Sequence, residues 1–389
     1  MLYLPRWYPN RYDPMPGLFI ERHARAVAPH FGVSVLYVHQ DDRMPGGKVE
    51  IDKIKDDEIF QVLIYYGAAT SGPGVYRSFI NTFRYLKCHF TGLGIIRKEM
   101  GARPALVHVN VLTRLGVIAM IYKWLTGTPY VITEHWTRYL PHMDNFKGSL
   151  RKRMTRMAVK NASAVMPVTD NLRQAMEAHR LKNKNYRIIP NVVDMEMFRT
   201  GEYLPEGKIH FIHVSCFEDK QKNISGILRV LKKLSEKRAD WKCTLIGDGI
   251  HFERLKEYAT ELGIEGKYAF FTGLRENEEL AQLMREASFQ VMFSRFENLP
   301  VVILESFASG VPVLSTDVGG IREHLHPDLG ILINSEDEAA LEEKIGYLLD
   351  HYLEYSKENL REYARAHFSR EVIGRQLADV YASILKAKS

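Results

Sequence analysis

The sequence predicts an α/β protein built from two doubly wound domains, and three observations carry the prediction. At 389 residues the chain exceeds what one ordinary hydrophobic core fills. Short β-branched runs alternate with amphipathic helical patterns along its length, the signature of parallel sheets covered on both faces. Near the midpoint, PNVVDMEMFRTGEYLPEGK (190–208) has no periodicity and carries Pro and Gly, so the linker is placed there.

In the first half the expected strands are VSVLYV (33–38), QVLIYY (61–66), ALVHVN (105–110), YVITEH (130–135), AVMPVT (164–169) and YRIIPN (186–191). RLGVIAMIYKWLTG (114–127) and NLRQAMEAHRL (171–181) read as helices between them. The second half repeats the plan with strands IHFIHVS (209–215), CTLIGDG (243–249), YAFFTG (268–273), FQVMFS (289–294) and VPVLSTD (311–317). Its helices are ISGILRVLKKLSEKR (224–238), HFERLKEYATELG (251–263), NEELAQLMREA (277–287) and VVILESFAS (301–309), the last closed by Gly310. In such sheets ligands bind beyond the carboxyl ends of the strands, and with two domains the natural site is the cleft between them.

Composition narrows the class. Hydrophobic residues at 46% and charged residues at 26% give a globular balance and exclude a disordered chain. Three cysteines without CxxC spacing argue against a disulfide scaffold or a structural zinc site and suit a reducing cytosol. MLYLPRWYPNRYDP breaks on prolines and charges, unlike a signal peptide, and no apolar run is long enough to span a bilayer. Residues 1–200 hold 29 Lys and Arg against 16 Asp and Glu, whereas residues 201–389 hold 24 against 31. A basic half beside an acidic half points the basic half at an anionic surface or substrate, with KGSLRKRMTRMAVK (147–160) concentrating the charge. RYLKCHF (84–90) and LRKRMTRMAVK (150–160) are the candidate contacts with anionic lipid, on the cytoplasmic face of a membrane.

The strongest chemical signal is SRFENLPVVILESFASGVP (294–312). A strand precedes it and a helix follows with Pro300 suited to its first turn, so Glu297 lies in the connecting loop and Glu305 about two turns into the helix. At about 1.5 Å per helical residue their carboxylates stand on the order of 10 Å apart. That span fits a ligand with diols at both ends and an anion between them, facing the helix N-terminus. A nucleoside-diphosphate sugar has this layout.

The stretch S-x-x-E-x7-E followed by SGVPVLSTDVGGIRE (309–323) resembles the retaining glycosyltransferases of family 4, the group 1 glycosyl transferases with a GT-B fold of two Rossmann-like domains facing across a cleft. WYPNRYDPMPGLFIERHARAVA (7–28), YVITEHW (130–136), IIPNVVDMEMF (188–198), LIGDG (245–249) and FTG (271–273) resemble the same family in order and spacing. The resemblance implies a first domain over 1–195, joined by the C-terminal helix from about 370 to 389, and a second over 205–368. It implies retention of configuration at the transferred sugar, no metal or other cofactor, and a glycan or lipid-linked acceptor, with no role for nucleic acid. By similarity Glu305 holds the ribose, Glu297 holds hydroxyls of the transferred sugar, and Asn298 and Leu299 contact sugar or phosphate. Lys222 matches the family's diphosphate lysine, but Cys216 stands where an arginine is usual; Lys220 is the candidate replacement, although it offers a point charge and not a planar fork. His135 is implied near the reacting centre and Gly17 near the diphosphate, while Gly319, Gly320 and Glu323 match the family's second-domain turn. Trp7, Tyr8, Trp136, Arg138 and Tyr139 cluster at expected strand ends as candidate acceptor contacts.

Among 17 aspartates no two are spaced Asp-x-Asp, so the metal clamp of the other main glycosyltransferase fold is absent. Charge on the departing nucleotide then falls to Lys222, backbone amides and a helix N-terminus. Three other readings stay open at this level. TGLGIIRKE (91–99) contains the Gly-x-Gly of a nicotinamide enzyme without its strand or third glycine. A sugar epimerase would share the nucleotide grip. A non-catalytic partner in polysaccharide assembly would explain the missing arginine.

Overall fold

The computed structural model describes residues 1–387 except 72, 113, 144 and 202–206. It divides into two compact units: Met1–Val168 with Arg173–Ile189 and Ile373–Ser389, and Thr169–Leu172 with Pro190–Val372.

Unit 1 runs β1 (Leu2–Pro5), α1 (Leu18–Val27), β2 (Val33–Asp41), β3 (Val49–Lys55), β4 (Ile59–Gly67), α2 (Gly74–Met100), β5 (Val107–Asn110), α3 (Arg114–Thr126), β6 (Tyr130–Glu134), α4 (Ser149–Asn161) and β7 (Ala164–Pro167), and then most of α5 (Asp170–Ala178). The sheet order is β3-β4-β2-β1-β5-β6-β7. All neighbours are parallel except β3, which pairs antiparallel with β4 at the edge. The sheet is therefore mixed, against the all-parallel expectation. Three strands escaped the sequence reading: β1, β3, and β13 in the other unit. YRIIPN, read as a strand, is not one; Tyr186 makes an isolated bridge to Val165 and the rest runs irregularly beside β7.

Unit 2 runs β8 (Ile209–Val214), α6 (Asp219–Lys222), α7 (Ile224–Lys237), β9 (Trp241–Ile246), α8 (Phe252–Glu261), β10 (Ala269–Gly273), α9 (Asn277–Arg285), β11 (Phe289–Met292), α10 (Val301–Ala308), β12 (Val313–Thr316), β13 (Gly330–Ile333), α11 (Glu338–His351) and α12 (Lys357–Phe368). Its six parallel strands lie in the order β10-β9-β8-β11-β12-β13. In this doubly wound order the direction of winding reverses between β8 and β11, where ligands bind. The core packed on this sheet is apolar: Phe211 stacks on Phe289 at 4.7 Å, and Trp241, Ile227, Leu231, Leu341, Ile345 and Leu348 are fully buried.

The final helix, α13 (Arg370–Lys386), returns to unit 1 from Ile373 onward. Gly374 admits the backbone of Ala26, since a Cβ there would stand 2.1 Å from the Ala26 carbonyl oxygen. The buried Tyr381 hydroxyl shares hydrogen bonds with the Tyr3 hydroxyl at 2.8 Å and with His108 Nδ1 at 2.5 Å. Burial holds His108 well below its ordinary pKa and therefore neutral. Among the described residues no helix is long and apolar enough to cross a membrane.

Candidate active site

The loop after β11 and the turn after β8 meet at the switch point of unit 2. Glu297, Asn298 and Leu299 lie in that loop, each buried, and Glu305 is buried on α10 with 4% exposure. Pro300 is the N-cap of α10 at ψ 122°, one residue ahead of the first turn where the sequence placed it, and no side chain caps the helix start. Gly310 closes the helix at φ 71°. Hydrogen bonds fix the loop from several sides. Thr316 Oγ1 donates to the Ser294 carbonyl at 2.6 Å, Gly320 N to the Asn298 carbonyl at 2.9 Å, and Asn191 Nδ2 to the Leu299 carbonyl at 3.0 Å. Asn298 Oδ1 accepts from Thr169 Oγ1 at 2.8 Å.

Gly319 sits at φ 61°, and a Cβ there would be 2.1 Å from the Glu297 carbonyl oxygen. Gly319→Ala is expected to push Glu297 out of place and to cost about 1–3 kcal/mol of stability from strained backbone alone. Thermal unfolding and transfer rate, measured together, check this; unchanged values would contradict the tight fit. Glu323 accepts from the Asp170 and Asn171 amides at 2.7 Å each, anchoring the first turn of α5, which is a structural role.

Lys222 closes α6 and reaches Glu297. Its Nζ donates to Glu297 Oε1 at 2.5 Å, and Ser294 Oγ donates to the same oxygen at 2.8 Å. Both charged side chains are nearly buried. Burial pulls the Lys222 pKa down, but the Glu297 carboxylate and, more weakly, Cys216 and Glu218 outweigh it and hold the ammonium above its ordinary value. The turn itself is held by Arg295, whose guanidinium donates to the Asp219 carbonyl at 2.7 Å and to Asn223 Oδ1 at 2.7 Å, and pairs with Glu336. The helix N-terminus nearest Lys222 is the start of α7 at Ile224. Asp219 covers it, accepting from Ser225 N and Ser225 Oγ at 2.7 Å each. Lys220 is exposed and turns the other way, lining a cavity of about 720 Å³ with Arg229, His251 and Arg254. The structure therefore does not bring Lys220 to the Lys222–Glu297 pair, and Cys216 is exposed.

In unit 1 the corresponding switch point lies between β1 and β5, and the loops after β1 and β6 carry the candidates. Gly17, the N-cap of α1 at φ 77°, meets the chain itself: a Cβ would stand 2.1 Å from the Trp7 carbonyl oxygen. His135 is half-buried, its ring 4.5 Å from Phe19 and 5.4 Å from His23. Trp7 and Trp136 meet edge to face at 5.2 Å, and Arg6 and Arg138 lie over the Trp136 ring at 4.8 and 3.5 Å. Desolvation first, and then repulsion from other arginines, lower both guanidinium pKa values, with Glu134 opposing. Tyr8 and Tyr139, offered as acceptor contacts, are instead core residues, each 1% exposed; the Tyr139 hydroxyl donates to the Leu112 carbonyl at 3.4 Å.

Glu134 organises this corner. It is fully buried, and its carboxylate accepts from three backbone amides: His135 at 3.0 Å, Trp136 at 2.9 Å and Leu112 at 2.8 Å. Burial pushes its carboxyl up to about 7 against the pull of those donors.

Two family models match this chain. The model "Glycosyl transferases group 1" covers residues 194–367, and "Glycosyl transferase 4-like domain" covers residues 70–192. The chain belongs to the group 1 glycosyltransferases. Its relatives include the N-acetyl-alpha-D-glucosaminyl L-malate synthase of Bacillus anthracis, 28% identical over 301 residues that cover 72% of this chain and 75% of that one. The putative teichuronic acid biosynthesis glycosyltransferase TuaC of Bacillus subtilis is 23% identical, over 89% and 88% of the two chains. Among solved structures, sucrose-phosphate synthase from Thermosynechococcus elongatus superposes with a TM-score of 0.77 at 18% identity, covering 99% of each chain. The Anabaena protein HepE, solved with UDP-glucose, gives 0.69 at 15% identity, covering 98% of this chain and 99% of that one. The fold is GT-B.

Within this glycosyltransferase, the structure joins Lys222, Glu297, Asn298 and Leu299 in one loop cluster, and His135, Trp136, Arg138 and Trp7 in another. Glu134 and Arg295 were missed, and each had a signal. Glu134 is a lone acid inside the apolar run YVITEH, and Arg295 stands two residues before an acid already singled out. TGLGIIRKE lies within α2, where Gly92 packs on Leu36, so the nicotinamide reading has no loop to act through.

Proposed function

We propose that this glycosyltransferase moves a sugar, with retention of configuration and without a metal, from a nucleoside-diphosphate sugar to a glycan or lipid-linked acceptor. The observation that carries the reading is the buried Lys222–Glu297 pair at the unit 2 switch point, followed on α10 by the buried Glu305. The HepE complexes with UDP and UDP-glucose support a nucleotide-sugar donor. The relatives in teichuronic acid and malate glycoside synthesis support a glycan or other glycoconjugate product.

On arrival of the donor, Lys222 exchanges Glu297 for a diphosphate oxygen, and Glu297 turns to the sugar hydroxyls. Glu305 accepts from the ribose diol. The bond between the anomeric carbon and the diphosphate oxygen breaks, and a bond to the acceptor oxygen forms on the same face. The acceptor hydroxyl proton passes to the leaving diphosphate, whose charge Lys222 and backbone amides offset. On the acceptor side, Arg6, Trp136 and Arg138 favour a sugar carrying an anionic group, since arginine over an aromatic face presents both a charge and a stacking plane.

The test is thermal stabilisation by a panel of UDP-, GDP-, ADP- and dTDP-sugars, followed by transfer assays with chelator present. One nucleotide class should stabilise the protein, and Glu305→Ala should abolish that shift, whereas Glu297→Ala should chiefly lower turnover. No stabilisation by any donor, or equal minor effects of the two variants, would refute these roles.

A further inference from the structure

We propose that the solvent-facing side of α2 docks on an anionic bilayer. The helix is 27 residues long, yet its buried residues are confined to Cys88, His89, Gly92, Leu93 and Ile96. Every residue from Gly74 to Phe79 is exposed. A surface helix ordinarily turns its apolar stripe to the core. This one does the reverse in its first half. Val75 is 86% exposed, Phe79 71% and Phe83 62%, with Tyr76 and Phe90 also exposed. At about 100° per residue these five side chains fall within an arc of about 100°, so they form one continuous stripe.

The charges around the stripe have one sign. Arg77, Lys87, Arg97 and Lys98 are exposed, and the helix holds no acid before Glu99. Arg84 is not among the available cations, because it donates to the Gly67 carbonyl at 3.0 Å. Bulky apolar and aromatic residues on one arc, with cations flanking and following them, are the pattern of a helix that lies in the headgroup region, the rings below the phosphates and the cations among them. A second copy of the chain fits the surface poorly. A self-contact through this stripe would set its cations against cations, each against its own copy if parallel or Arg77 against Arg97 and Lys98 if antiparallel, with no acid before Glu99 to pair them.

The inference deepens the lipid-linked acceptor proposed above and rests on that reading only for its purpose. The measurement needs neither donor nor acceptor, so docking and transfer can fail separately. The whole protein is sedimented with phosphatidylcholine vesicles, with and without phosphatidylglycerol. Binding should appear with the anionic lipid, and Phe79→Asp with Phe83→Asp should weaken it by about ten-fold or more. Lys87→Glu with Lys98→Glu should remove the preference for phosphatidylglycerol. Thermal unfolding of both variants should match the parent, because the substituted side chains are exposed. Equal binding to both vesicle types, or binding indifferent to the phenylalanines, would overturn the proposal. So would a dimer that the Phe79 and Phe83 changes convert to monomer, since the stripe would then be a protein contact.

Discussion

Lys222→Ala should lower the stability of the second unit by about 3–5 kcal/mol, the usual cost of stranding a buried charge whose partner has been removed. Glu297 would keep only Ser294 Oγ as a side-chain donor among the contacts described, in a setting where it is 6% exposed. Turnover should fall further, by about 100-fold to 1,000-fold, as when a preorganised donor to a developing negative charge is deleted. The double change Lys222→Met with Glu297→Gln separates the two effects. It removes both charges together, so stability should recover most of the loss while turnover does not return. Denaturant unfolding and single-turnover transfer make the comparison. A single variant as stable and as active as the parent would remove Lys222 from the mechanism.

The second large effect concerns pH and Glu134. Its carboxyl ionises at about 7 in the folded protein, against an ordinary 4.5, because burial disfavours the charge. Between those values the folded chain holds a proton that the unfolded chain has released, so stability falls as pH rises through the window and levels off above about 7. The full effect is on the order of 3 kcal/mol. Glu134→Gln should flatten this slope. It should also cost about 1–3 kcal/mol, because the new amide would face the Leu112 N–H with a second donor. The loop carrying His135, Trp136 and Arg138 hangs from the same carboxylate, so transfer should weaken too. Unfolding curves from about pH 5 to about pH 8 decide the matter; a parent protein whose stability rises with pH across that range would contradict the assignment.

The parts of this enzyme that the sequence made legible are those where periodicity is local and long enough to see. The unit 2 strands and helices from 209 to 317 fall within a few residues of their expected places, because each apolar run is bounded by turn residues and each helix has one apolar face. β3 is exposed along an edge, where burial does not constrain its residues. The acid pair at 297 and 305 was visible because strand, loop and helix are contiguous. The partner of Glu297 was not, since Lys222 is 75 residues away and only the adjacency of β8 and β11 brings the two together. Lys220 misled for a related reason. Two lysines at i and i+2 on a helical turn point to different sides, and only the packed one meets the acid.

The hydrogen bonds of Tyr381 to Tyr3 and His108 tie the last helix to strands made much earlier. During synthesis the opening sheet must therefore wait, with β1 and β5 uncovered on that side, until everything from residue 190 to residue 372 has left the ribosome. The second unit, apart from Thr169–Leu172, is made in one run ending at Val372, before the helix that completes the first unit. The unit begun first is thus the unit completed last, and a nascent chain released before residue 381 would lack the hydroxyl that joins Tyr3 and His108.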